Sequence, residues 1–336
     1  FRLRERQRDS LTWVTSRDKR IEFIFKPNPE GKIYHTRQVE YNGFIHSMLS
    51  GTRYEQKGYR YFGERAYSDL VADTIALTVR RLNIPVRDPS SETGATFMRR
   101  ISDLPPAERE EEIFKAVSSG NIPDFLRYTV TLKGEFEDLE GVRHRIEYEV
   151  MPDYLAIGSD DDYCRIPMNP RTAQRIADLF GASLLTAKLS DHIYAIAEVK
   201  LAPFNYIPVG NANELVTKFA EHNAQIEKQM AEAGGRNGQL VAGIKKDVII
   251  SSRLAERNDR VVIYGWHKTD GNPIQPVYSG HVWWYVDYSH GIRLMNDQVL
   301  VDGHPRLMSE LLKDPVLFRL FSNESATMSE PFYTVP

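Results

Sequence analysis

The spacing of the apolar residues changes at Leu240, and this change constrains the fold more than any other feature of the chain. Before Leu240 several segments show helical spacing, whereas after it short apolar runs are bounded by turn residues. The predicted helices cover residues 67–82, 102–117, 170–180, 186–197, 213–233 and 307–321. Asn169 is the predicted cap of the third helix, with Pro170 at its first position. The predicted strands cover residues 21–25, 128–132, 145–150, 154–158, 163–168, 248–252, 261–266, 282–286 and 299–301. We therefore predict an α+β fold with a mixed or antiparallel sheet and flanking helices.

The 336 residues are enough for one large domain or for two of ordinary size. The best candidate for a linker is the segment 87–94, which is rich in Pro, Ser and Gly. We expect a smaller N-terminal α/β appendage over residues 1–90. We expect a main α+β domain over residues 91–336 to carry any functional site.

The composition of the chain argues against some binding partners and against a membrane-spanning segment. The net charge is −3, from 43 basic and 46 acidic residues, so no sequence-wide field attracts nucleic acid. No apolar run reaches the roughly 18 residues of a membrane-spanning helix, so we expect no transmembrane segment. The single cysteine, Cys164, excludes an intrachain disulfide but leaves the compartment open. The chain begins at Phe1 without a methionine, so export after removal of a leader also stays open.

Aromatic and imidazole side chains are concentrated between residues 264 and 293, which hold three of the 4 tryptophans and three of the 9 histidines. Such rings beside a carboxylate suit a site that stacks on flat sugar faces and transfers protons. The alternative is a tryptophan-rich β core whose histidines bind backbone carbonyls. The candidate residues for stacking on a substrate are Trp266, Trp283, Trp284, Tyr285 and Tyr288.

A regular strand over residues 281–289 would bring several of these side chains together. Residues of a strand alternate between its two faces, so one face would carry the following side chains. They are His281, Trp283, Tyr285, Asp287 and Ser289. His290 would then point away, unless a bulge at Gly291 bends the chain.

Two chemistries without a nucleophilic side chain fit this region. The first is a metal site, because neutral imidazoles with a carboxylate suit zinc, although the spacing matches no recognised zinc signature. Its ligands would be His267, His281, Asp287 and His290. The second is metal-free acid–base catalysis, in which His281 or His290 carries the proton and Asp287 orients it. Arg293 or Lys246 would then stabilise an anion.

The third chemistry is nucleophilic catalysis, in which Ser289 or Cys164 attacks after activation by a histidine. The run Ser-His-Gly-Ile-Arg-Leu at residues 289–294 resembles the Ser-His-Gly-Cys-Ile-Arg-Leu signature of L,D-transpeptidases, which cross-link cell-wall peptides. The cysteine of that signature is absent here. Cys164 follows the acidic turn 159–162, which disfavours a thiolate. That turn has the oxygens of a calcium site, but a solvated hairpin tip explains it more simply.

Four motifs carry a wider resemblance that spans about residues 105–324. They are Pro-Asp-Tyr-Leu-Ala-Ile-Gly-Ser-Asp-Asp-Asp at 152–162, Lys-Lys-Asp-Val at 245–248, Tyr-Gly-Trp-His at 264–267 and Asp-Tyr-Ser-His-Gly at 287–291. With these motifs the chain resembles a family of functionally uncharacterised bacterial proteins, many of them exported. The resemblance implies kinship and is compatible with a periplasmic or extracellular location, but it brings no established reaction.

Aromatic rings occur together with His281, Asp287 and His290 in one short segment. This combination predicts a hydrolase of cell-envelope or polysaccharide material, with a glycan or cell-wall ligand. Two alternatives stay open. One is a carbohydrate- or cell-wall-binding protein without catalysis. The other is a structural component of an envelope assembly, which would expose large apolar patches.

Overall fold

The computed structural model describes the backbone of five strands between residues 2 and 49 and all features of residues 82–335. The chain divides into two compact units, Phe1–Arg80 and Arg81–Pro336, and the domain boundary expected after residue 90 stays a prediction. Apart from Leu82, the helix predicted over residues 67–82 lies outside the described residues.

The described strands of the first unit pair antiparallel in sequence order. They are β1 (Arg2–Gln7), β2 (Ser10–Val14), β3 (Arg20–Pro27), β4 (Ile33–Tyr41) and β5 (Phe44–Leu49). The strand predicted over residues 21–25 corresponds to β3, whose register with β4 pairs Ile21 with Val39.

The segment expected to be a linker is held by hydrogen bonds within the second unit. The Arg87 guanidinium donates to the Asn121 side chain at 2.9 Å and to the Ser91 carbonyl at 2.7 Å. The Asn121 amide in turn donates to the carbonyl of Glu92 at 3.0 Å. Residues 87–93 are therefore an irregular but fixed entry to the first helix of this unit.

The helices of the second unit are α1 (Gly94–Ile101), α2 (Pro106–Ser118), α3 (Pro170–Phe180), α4 (Ala187–Ile196), α5 (Val216–Glu232) and α6 (Met308–Leu311). Asn169 caps α3 as predicted, because its side chain accepts from two backbone N–H groups of the first turn and Pro170 occupies the first helical position. The helix predicted over residues 307–321 is interrupted. It consists of α6 and a separate 3-10 turn, Leu317–Leu320.

The strands of the second unit are short. They are β6 (Val130–Glu137), β7 (Arg143–Val150), β8 (Ala156–Gly158), β9 (Tyr163–Arg165), β10 (Ala182–Leu184), β11 (Val199–Lys200), β12 (Val241–Ala242), β13 (Lys246–Val248), β14 (Ile263–His267), β15 (Pro273–Tyr278), β16 (His290–Gly291), β17 (Leu294–Asn296), β18 (Gln298–Val301) and β19 (His304–Leu307). The acidic turn 159–162 is a hairpin tip between β8 and β9, and the Asp162 carboxylate accepts from the backbone N–H of Ala95.

Two larger sheets organise this unit and confirm the predicted α+β class with mixed pairing. One has the order β10-β17-β7-β18-β19, with β6 also paired to β7. The other has the order β15-β14-β13-β16, in which β13 pairs antiparallel with β14 and parallel with β16. Strand β13 is therefore central in the sheet that carries the residues singled out by the sequence. No helix in the described residues is both long and apolar enough to span a bilayer.

The prediction of a strand over residues 282–286 is wrong. Trp283 and Trp284 lie in a turn, closed by a hydrogen bond of 3.0 Å from the N–H of Tyr285 to the carbonyl of Val282. A second turn follows, in which the N–H of His290 donates to the carbonyl of Asp287 at 3.1 Å. The segment between β15 and β16 is thus folded back on itself rather than extended.

Candidate functional site

Strand β13 fixes the position of Lys246 between two neighbours. Lys246 pairs with Gly265 of β14 on one side and with His290 of β16 on the other. Since strand residues alternate between faces, Lys245 and Asp247 point to the opposite face of β13. The short strand therefore presents different charged groups to two sides of the sheet.

The two turns after β15 assemble a group that we name the His281 cluster. Its members are Lys246, His281, Tyr285, Asp287 and His290. The rings of His281 and Tyr285 stack with centroids 4.2 Å apart, and the ring of His290 meets Tyr285 edge-on at 5.8 Å. The Tyr285 hydroxyl donates to Asp287 Oδ2 at 3.2 Å. The two turns thus bring the side chains of the cluster close together, whereas the sequence had suggested that a regular strand would do so.

Asp287 is held as a carboxylate. Its Oδ1 accepts from the backbone N–H of Ser289 at 2.7 Å and from the Ser289 hydroxyl at 2.5 Å. Burial acts to raise the pKa of Asp287, but the nearby His290 and Lys246 and the bonds from Ser289 outweigh it and hold the pKa at about 2. Asp287 is therefore the fixed negative charge of the cluster.

The two imidazoles of the cluster differ in access. His290 is fully buried, and burial first, then the neighbouring Lys246, lowers its pKa to about 4. His281 is half-buried, and its pKa is lowered chiefly by burial, with Asp287 opposing the shift. Both rings are therefore mostly uncharged near neutral pH, and the half-buried His281 is the one open to solvent.

The expected four-residue metal site is not assembled. His267 turns towards α4, where its Nε2 lies 2.8 Å from the Asp191 carboxylate and its ring stacks on Tyr194 at 4.6 Å. Within residues 82–335 no group of three or more His, Cys, Asp and Glu side chains is arranged to hold a metal ion. The residues present do not fit the zinc ion that the sequence suggested.

Arg293 does not have the role expected from the sequence. It is buried, and its guanidinium donates to the carbonyls of Met151 at 2.8 Å and Pro152 at 3.0 Å. It also donates to the carbonyl of Val241 and lies over the ring of Tyr154. Arg293 therefore joins backbone segments inside the unit and is not positioned to stabilise a substrate anion.

Only part of the expected aromatic platform is open to solvent. Trp266 and Tyr288 are buried, and the Trp266 indole donates to the carbonyl of Ile244 at 3.0 Å. Trp284 is 58% exposed and meets the ring of Trp283 edge-on at 5.6 Å. The accessible rings are therefore those of Trp283, Trp284 and Tyr285.

Neither candidate nucleophile is activated. Ser289 is fully buried and its hydroxyl donates to Asp287 rather than to a histidine. Cys164 is buried as well, and burial raises the pKa of its thiol to about 12. Cys164 also lines a pocket of about 410 Å³ between α1 and α5, which no member of the His281 cluster lines.

The structure adds polar groups that sequence reasoning did not select. Asp191 of α4 accepts hydrogen bonds from His267 and from the hydroxyl of Tyr264, at 2.8 Å each. Lys245 is buried, donates to the carbonyl of Tyr288 at 2.7 Å, and has its pKa lowered to about 7 by burial. Asp191 lies far along the sequence from residues 264–293, so local pattern gave no signal for it. The pair Lys245-Lys246 was visible, but only the strand register shows that the two lysines face opposite ways.

Comparison with known proteins gave no relative. No protein-family model matches the sequence. No curated protein and no solved structure matches it either. The His281 cluster is therefore the feature of the chain that bears on its function.

Proposed function

We propose that the chain is a hydrolase of polysaccharide or other cell-envelope material that uses metal-free acid–base catalysis. One observation carries the proposal. A half-buried, mostly uncharged imidazole, His281, stacks on Tyr285, whose hydroxyl is bonded to the ionised Asp287. A solvent-reachable base beside a fixed negative charge is the arrangement that general base catalysis requires.

His281 is the proposed proton carrier. It takes a proton from an attacking water as the new bond to the substrate forms, the leaving oxygen takes a proton from solvent as the old bond breaks, and the imidazolium then returns its proton to solvent. The carboxylate of Asp287 stabilises the imidazolium that exists between the uptake and the return of this proton. Tyr285 fixes the ring plane by stacking, and Trp283 and Trp284 offer faces on which a sugar ring can pack.

Exchange of His281 tests this proposal. The His281→Gln variant should lose at least about a hundredfold in the release of reducing ends from purified sacculi or polysaccharides, the lower range for removal of a general base. The melting temperature should change little, because His281 is half-buried. His304→Gln, at an exposed histidine of β19, is the matched control and should keep full activity. Undiminished turnover by His281→Gln would contradict the proposed role.

A glycan- or cell-wall-binding protein without catalysis is the second candidate. It is favoured by Trp284, a large indole that is 58% exposed beside Trp283. Under this alternative the protein sediments with insoluble polymer but releases no products. Binding would then depend on Trp284 and would be indifferent to His281→Gln.

A further inference from the structure

Lys246 contributes to the His281 cluster a cation that has no close ion-pair partner within residues 82–335 and that interacts through its charge with Asp287. Its ammonium lies 4.6 Å from the centroid of the Trp266 ring. It forms no ion pair with any residue of 82–335. Pairing of β13 with β14 and β16 holds its backbone on both sides, so the sheet fixes the point from which the side chain extends.

The surroundings of Lys246 leave its hydrogen-bond donors free for a ligand. The closest acidic member of the cluster, Asp287, already accepts from Ser289 and from Tyr285. Lys246 acts on Asp287 through its charge, since it helps to lower the pKa of that carboxyl group. An ammonium has three donors, and here no protein acceptor in the described residues takes them.

The other walls around this cation suit a sugar ring with a negative substituent. His281 and His290 are uncharged near neutral pH, so they do not add to the positive charge, and the half-buried His281 can donate and accept hydrogen bonds to hydroxyl groups. The accessible ring of Tyr285, which stacks on His281, provides an apolar face. Lys246 beside an aromatic face and neutral imidazoles can pair with one carboxylate of a carbohydrate, because the negative charge of Asp287 is already held by hydrogen bonds from Ser289 and Tyr285.

We propose that the His281 cluster takes a glycan that carries carboxylates, with the Lys246 ammonium binding a carboxylate of the sugar. The inference rests on the proposed function and names its substrate class. Uronic acids and the lactyl group of muramic acid both offer this chemistry. They are distinguished below as separate probes.

The test is calorimetric binding to full-length protein with three probes. These are an oligogalacturonate, the same oligomer with its carboxyl groups reduced to alcohols, and peptide-free glycan strands that contain muramic acid. At low salt we expect at least tenfold tighter binding of one carboxylated probe than of the reduced oligomer. Lys246→Met should remove that preference and leave weak binding of the reduced oligomer unchanged. Lys313→Met is the matched control, because Lys313 also lies over an aromatic ring, that of Phe332.

Each outcome decides between the claims. Equal binding of carboxylated and reduced oligomers, no binding of either carboxylated probe, or a preference that survives Lys246→Met overturns the inference. Hydrolysis of an uncharged glycan without dependence on Lys246 would leave the hydrolase proposal standing and this inference refuted. Lys246-dependent binding of a carboxylated glycan that is never cleaved would support this inference and refute the hydrolase proposal.

Discussion

His222 and His290 are fully buried imidazoles, and neither ring nitrogen of His290 has a hydrogen-bond partner among the described residues. His222 lies on α5 and meets the ring of Tyr288 edge-on at 4.9 Å. Burial lowers the pKa of His222 to about 2 and that of His290 to about 4. Both side chains are therefore kept uncharged by the folded structure.

These lowered pKa values make the stability of the fold depend on pH. The unfolded chain takes up protons on both histidines as the pH falls below about 6.5, whereas the folded chain does not until it reaches about pH 4. Stability should be fully present above pH 6.5 and decline towards pH 4, by about 2–3 kcal/mol per histidine at pH 4.5.

Urea unfolding of wild type, His222→Leu and His290→Leu at pH 7.5 and 4.5 measures this effect. Each variant should lose less stability on acidification than the wild type. The difference arises because one group that only the unfolded chain protonates has been removed. Equal losses in all three proteins would show that these histidines do not carry the acid sensitivity.

At the residue scale the sequence identified groups that are close along the chain. His281, Asp287 and His290 fall within ten positions, so even a wrong strand assignment left them near one another. The partner of His267 is Asp191, which is supplied by a helix far earlier in the chain. Pairings of that kind are set by packing between elements, and a single sequence does not record them.

At the scale of elements, caps and prolines were better guides than alternation. Asn169 and Pro170 predicted the start of α3 because their effect is local. Residues 282–286 form a continuous apolar run typical of a buried strand, but turns at Trp283-Trp284 and after Asp287 prevail over that pattern. Side chain to backbone hydrogen bonds, such as that of Asp287 with Ser289, stabilise the turned form.

Gly291 permits the close approach of β16 to β13. A Cβ atom at this position would lie 2.6 Å from the ring of Tyr154 and 2.7 Å from Lys245 Cβ. Gly291→Ala should therefore destabilise the fold by about 3 kcal/mol or more, because neither neighbour is free to move aside. Thermal and urea unfolding measure the loss.

Gly141→Ala is the control for this substitution. Gly141 has a φ of +81°, but nothing lies within 4 Å of the position of its Cβ. Only the backbone cost of about 1–2 kcal/mol is expected there. A loss at Gly291 no greater than that at Gly141 would argue against a steric role.

At the scale of the whole second unit, a buried ion network joins segments that are distant in sequence. The Arg165 guanidinium of β9 donates to Asp153 at 2.6 Å and to Glu227 of α5 at 2.5 Å. Arg165 and Asp153 are almost wholly buried. The network ties the β8–β9 hairpin to α5, and it accounts for a charged pair within a largely apolar core.

Removal of one partner of this network should cost more than removal of both. Arg165→Met leaves the Asp153 carboxylate buried and unpaired, so we expect a loss of about 3–5 kcal/mol in the free energy of unfolding. The double variant Arg165→Met with Asp153→Asn should recover part of that loss. Urea unfolding of the two single variants and the double variant measures the coupling, and strictly additive losses would contradict it.

Strand β13 shows how little separates one chemistry from another in this molecule. Lys246 places an ammonium beside the neutral rings of His281 and His290 on one side of the strand. Lys245 and Asp247, the residues before and after it, lie on the other side. A slip by a single residue would exchange these partners and put a carboxylate where the glycan's own negative charge is proposed to lie. Any redesign of ligand preference must therefore preserve the hydrogen-bond ladder to β14 and β16 before it alters a side chain.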